Sequence, residues 1–140
     1  YCNCSKNGAE YRTIQILVID DDKSTQKIFA NKLFKKYDIE VVPNSSIGLG
    51  KCLSRTFDLI FLSENKLKLT KSFKSKFIKT LKRLKIIVPP VFLLTKTLNE
   101  EIDYDNICAL IQKPINQIDI YNLLEYLRKN PNYSLKKLIH

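Results

Sequence analysis

The run Ile16–Asp22, reading ILVIDDD, constrains the fold of this chain more than any other stretch. Four consecutive aliphatic residues suit a strand buried on both faces of a parallel sheet. Three aspartates follow at once, with no basic residue among them. The carboxyl ends of buried strands are where open α/β sheets build their sites. Carboxylates this close repel one another unless a cation intervenes, either a metal ion or a lysine brought in by another strand. The same aspartates could instead be a polar strand end that caps the next helix. On this stretch alone the two readings weigh the same.

The pattern then repeats along the chain. Ile14–Ile19 reads as the first strand, and Lys23–Tyr37 as a helix with Ile28, Phe29, Leu33 and Phe34 as its apolar stripe and Asp22 as its cap. Ile39–Val42 is a short second strand. A helix from Ser45 or Ser46 to Arg55 is expected to rest on Ile47, Leu49 and Leu53, although Gly48 and Gly50 weaken it. Asp58–Leu62 is a third apolar strand, ending in Ser63-Glu64-Asn65. A helix from Ser72 to Lys85 carries Phe73, Phe77, Leu81 and Leu84 on one face. Pro89-Pro90 breaks the chain before a fourth strand, Val91–Leu94, which ends at Thr95. Leu98–Tyr104 reads as a short helix and Ile107–Ile111 as a fifth strand, ending in Gln112-Lys113-Pro114. Asn116–Lys129 closes the fold as a helix with Ile118, Tyr121, Leu124 and Leu127 inward and a capping start at Asn116 and Asp119. Five apolar strands alternating with helical segments imply a parallel sheet with helices on both faces.

At 140 residues the chain is long enough for one well-cored domain. We divide it into an extension (1–13), a folded unit (14–130) and a polar, basic tail (131–140). No apolar run is long enough to span a bilayer. The first residues lack the apolar centre of a signal peptide and there is no initiator Met, so a domain excised from a longer, cytoplasmic chain is expected. Cys2, Cys4, Cys52 and Cys108 show no CxxC spacing, and His140 is the single histidine. Free thiols therefore fit better than a zinc site. The net charge of +10 is concentrated: residues 65–99 hold ten of the 24 Lys/Arg and none of the 14 acidic residues, so the remaining segments balance.

The order of residues at the strand ends resembles the receiver domain of two-component response regulators, over roughly Gln15 to Lys129. Receivers carry an acidic pair after the first strand, here Asp20-Asp21. They carry Thr or Ser after the fourth strand, here Thr95, and Lys-Pro after the fifth, here Lys113-Pro114. The resemblance implies a flavodoxin-like, doubly wound α/β fold with five parallel strands in the order 2-1-3-4-5. It also implies a cis Lys113-Pro114 peptide that aims the ammonium inward. In that family the acidic pair holds a divalent metal for a phosphoryl group carried on an Asp. The lysine neutralises the phosphoryl oxygens and the hydroxyl reports the charged state.

Several residues depart from the pattern. The phosphoacceptor Asp should end the third strand, and Ser63 stands there. A serine hydroxyl is a poor nucleophile without an adjacent base and gives no acyl phosphate. Glu64 lies one residue on, where strand alternation turns it to the other face. Lys66-Leu67-Lys68-Leu69 replaces the usual Met-Pro and Asp-Gly, Lys96 replaces a small residue, and Leu110 replaces the aromatic of the usual rotamer switch.

The resulting expectation is a non-catalytic pseudo-receiver with a vestigial pocket of Asp20, Asp21, Ser63, Thr95 and Lys113. It would signal by contacts within a hybrid sensor histidine kinase or phosphorelay protein. Magnesium on Asp20 and Asp21 is expected to be weak or absent, with ion pairing to Lys113 favoured. The expected partner is a histidine kinase, a phosphotransfer domain or a second copy through the last strand and helix (Ile107–Lys129), with Lys74, Lys79 and Lys82 as a further partner surface. Two alternatives stay open: an atypical but active phosphoacceptor, and a basic module for nucleic acid or an anionic surface. Phe73 and Phe77 fall at helical spacing, which suits core better than base stacking.

Overall fold

The computed structural model describes residues 13–63, 72–73, 76–96, 103–104 and 107–130. Its centre is one five-stranded sheet of β1 (Gln15–Ile19), β2 (Asp38–Val42), β3 (Leu59–Ser63), β4 (Val91–Thr95) and β5 (Ala109–Gln112). The order is β2-β1-β3-β4-β5, and every pairing is parallel. The chain therefore has the doubly wound topology expected from its alternating pattern.

Register follows from the apolar runs. Ile19 lies opposite Leu62 of β3, Leu62 opposite Leu93 of β4, and Thr95 opposite Gln112 of β5. Alternation along each strand then splits the core in two. Ile16, Val18, Phe61, Phe92 and Leu94 face α1 (Lys23–Phe29) and the last helix, α4 (Gln117–Lys129), packing on Phe29, Ile120 and Leu124. Leu17, Ile19, Ile60, Leu62 and Leu93 face the other way, onto α2 (Ser45–Ser54) and α3 (Lys76–Arg83) through Leu49, Cys52, Phe77, Ile78 and Leu81. Four aromatic rings, Phe34, Phe29, Phe61 and Phe92, form a chain of contacts at 5.2–5.8 Å through the first layer.

The helices differ from expectation in ways that local chemistry explains. The helix expected over Lys23–Tyr37 ends at Phe29, and a separate 3-10 turn covers Lys32–Phe34. Asn31 causes the break: its side chain accepts from Leu33 N at 2.9 Å, competing with continued helix. In α2 the expected anchors Ile47 and Leu53 are 44% and 62% exposed, and the buried position is Gly48. The glycine lets the helix settle directly on Ile19, and Leu49, the third expected anchor, packs on the core as expected, together with Cys52.

The helix expected over Ser72–Lys85 is confined to Lys76–Arg83, with Phe77, Ile78 and Leu81 buried and Leu84 exposed. Phe73, expected on that helix, belongs to a two-residue strand, Ser72–Phe73, paired in parallel with Asp103–Tyr104. The last two positions of the helix expected over Leu98–Tyr104 are thus extended, and residues 97–102 lie outside the described residues. In α4, Ile120 and Leu124 fill the core while Ile118, about half a turn from Ile120, is 56% exposed. Asn116 caps that helix as expected, accepting from Ile118 N and Asp119 N at 2.9 and 3.1 Å.

Candidate functional site

Parallel strands bring their carboxyl ends to one edge, and the residues singled out from the sequence fall along it. Asp20 leaves β1 still tied to the sheet by its N–H, which donates to Val42 O at 3.0 Å. Ser63 ends β3, Thr95 ends β4, and Lys113 follows β5 with its backbone N–H on Thr95 O at 2.7 Å. The Lys113–Pro114 peptide is cis, as expected.

Lys113 organises this edge. Its Nζ lies 2.7 Å from Asp20 Oδ2 and 3.5 Å from Asp22 Oδ2, and it donates to Ser63 Oγ at 3.1 Å. Asp20 Oδ1 accepts from Asp22 N at 3.0 Å, and the Asp20 carbonyl accepts from Gln26 Nε2 at 2.8 Å. No well-aligned donor reaches Asp20 Oδ2 among the described residues, so the close ammonium acts on it as a charge. Asp22 caps α1 by accepting from Ser24 N at 2.9 Å. That backbone hydrogen bond, with the Lys113 charge behind it, holds its carboxyl below the usual value, against the opposing pull of desolvation.

One expected member is displaced. Asp21 is exposed, and Asp22 stands beside Lys113 in the place expected for Asp21. Alternation carried past Ile19, where β1 ends, puts Asp20 and Asp22 on one side and Asp21 on the other. Thr95 is half-buried at the strand end. Lys79 and Lys82 are exposed on α3, whereas Lys74 and Glu64 lie outside the described residues. Beside the cluster is a cavity of about 520 Å³, walled by α1, Lys96 and the Lys113–Ile115 turn.

The donor set does not fit magnesium. A hard dication takes oxygen ligands, preferably anionic, but the buried Asp20 oxygen already carries an ammonium at 2.7 Å. Ser63 supplies no charge, and Asp21 is turned out. Among the described residues no group of three or more His, Cys, Asp or Glu is placed to hold a metal.

A five-stranded parallel sheet in this order is the flavodoxin-like arrangement that response-regulator receiver domains share. Solved structures with that fold superpose on most of the chain. The chemotaxis response regulator CheY4 of Vibrio cholerae matches with a TM-score of 0.65 at 18% identity, covering 83% of this chain and 99% of that one. A two-component response regulator from Clostridium difficile matches at 0.64 and 22%, covering 86% and 100%. The signal receiver domain of an HD domain-containing protein from Pseudomonas fluorescens Pf-5 matches at 0.63 and 14%, covering 89% and 93%. No family model matches the sequence, and no curated protein matches it significantly.

Proposed function

We propose that this chain is a pseudo-receiver, a regulatory module of two-component signalling that works by contact and not by phosphoryl transfer. The observation that carries this reading is the closed Lys113 cluster. The ammonium that would face an incoming phosphoryl group is 2.7 Å from Asp20 and 3.1 Å from the Ser63 hydroxyl. Among the described residues Ser63 Oγ is held by Lys113 Nζ and has no histidine or carboxylate partner to act as base, so its hydroxyl stays a weak nucleophile. Asp20, Asp22 and Lys113 then serve as an internal ion-paired brace tying β1, α1 and β5 together. The partner in this reading is a histidine kinase or phosphotransfer domain, in the setting of a hybrid kinase or phosphorelay protein. The surface of β5 and α4, with Ile118 and Tyr126 exposed, is the face offered to it.

The test is an amide NMR titration with magnesium and beryllofluoride on the wild type and on Ser63→Asp. Beryllofluoride mimics a phosphoryl group only where an Asp can hold it. The wild type should stay silent, while Ser63→Asp should respond at Asp22, Thr95 and Lys113. A wild-type response would overturn the reading and restore the atypical phosphoacceptor.

A further inference from the structure

Helix α3 and the turn after it carry Lys76, Lys79, Lys82, Arg83 and Lys85, all exposed, above a buried side of Phe77, Ile78 and Leu81. None of the five is ion-paired to another described residue, and the first turn contains no acid. Helix stability does not account for this row. Cations suit the last turn, where Lys82 and Arg83 stand, but Lys76 in the first turn opposes the helix dipole. The helix ends at a left-handed residue, Lys85, with φ 61°. Ile86 packs against the core, and Ile87 and Leu84 are left exposed, at 91% and 46%.

We propose that this face is a docking surface for anionic lipid, with the cations on the headgroups and Ile87 and Leu84 entering the interface. The composition selects that occupant. Protein interfaces are depleted in lysine and enriched in Tyr, Trp and Arg, whereas among the residues whose burial is described this face has four lysines, one arginine and no exposed aromatic. Single-stranded nucleic acid needs stacking platforms, and the one aromatic of α3, Phe77, is buried. A phosphodiester backbone also gives Ile87 nothing to enter. A headgroup layer offers both components, because lysine stems lie along the apolar boundary while their ammoniums reach the anions.

The full chain is to be sedimented with phosphatidylcholine vesicles, with and without one third phosphatidylserine, and titrated with duplex DNA. Binding should require phosphatidylserine and weaken as salt rises. Each lysine near the surface contributes about fivefold, so K76Q/K79Q/K82Q should bind roughly a hundredfold more weakly. Ile87→Ser should weaken vesicle binding and leave any DNA binding unchanged. These positions are exposed, so the variants keep the fold. Equal binding to neutral vesicles, no binding, wild-type binding by the triple variant, or DNA binding as tight as vesicle binding would each overturn the proposal.

Discussion

Lys113 Nζ sits 2.7 Å from Asp20 Oδ2 with the two side chains only 5% and 1% exposed, joining the ends of β1 and β5 across the sheet edge. Breaking one side of such a pair leaves the other charge buried without compensation. Lys113→Met should therefore cost about 3–5 kcal/mol, read as a lowered urea midpoint at unchanged slope. The double variant D20N/K113M removes both charges and should regain most of that loss. Equal loss in single and double variants would show that packing of the lysine stem, and not charge, carries the effect.

Glu125 makes a second polar clamp, between α4 and the chain just before β2. It accepts from the Tyr37 hydroxyl, pairs with Lys36 at 3.0 Å, and takes both guanidinium contacts of Arg128, at 3.0 and 3.1 Å. These partners, Arg128 foremost, push its carboxyl from 4.5 down to about 2. A depressed carboxylate stabilises the fold above its unfolded value and loses that contribution as pH falls through the folded one. Stability should thus drop between pH 4.5 and 2, and Glu125→Gln should flatten that part of the urea-midpoint profile. A profile unchanged by the substitution would remove Glu125 as its origin.

The sequence made the sheet legible because its central strands are nearly pure aliphatic and aromatic runs. Ile16–Ile19 and Leu59–Leu62 have no polar alternative, and being neighbours they fix the edge where Asp20 and Ser63 meet. Lys113 was legible for the same reason, since a fifth parallel strand must end beside the fourth. The choice between Asp21 and Asp22 is less legible, because β1 ends at Ile19 and the acidic run beyond it reads as a motif rather than as residues that alternate like a strand. Helix faces were misread where one small or capping residue outweighed the hydrophobic count, as Asn31 does after α1 and Gly48 does in α2.

Gly48 gives that misreading a direct test. A Cβ there would stand 2.6 Å from Ile19 Cδ1 and 3.0 Å from Ile19 Cγ1. Ile19 is 1% exposed in the β1 core and has little room to withdraw. Replacing a mid-helix glycine by alanine ordinarily gains up to about 1 kcal/mol. Overpacking of a buried contact costs about 1–3 kcal/mol, so Gly48→Ala should be net destabilising. A Cβ at Gly50 would meet nothing within 4 Å, and Gly50→Ala should raise the midpoint instead. Two gains of the same sign would show that α2 does not approach β1 closely enough for the glycine to matter.

Lys85 poses the converse case, a side chain where glycine would serve better. Ile86 N donates to Leu81 O and Lys85 N to Lys82 O, both at 3.0 Å, the paired bonds of a Schellman end to α3. That motif needs a left-handed residue, and Lys85 supplies it at φ 61°. A residue with a Cβ is strained in that region by about 1–2 kcal/mol. Glycine removes the strain but also loosens the unfolded chain, by about 0.4–1 kcal/mol. Lys85→Gly should therefore stabilise the domain by about 0.5–1 kcal/mol, while Lys85→Ala, which keeps the strain, should leave the midpoint almost unchanged. Matching gains from glycine and alanine would trace the effect to the lost charge among the cations of α3, and not to the backbone.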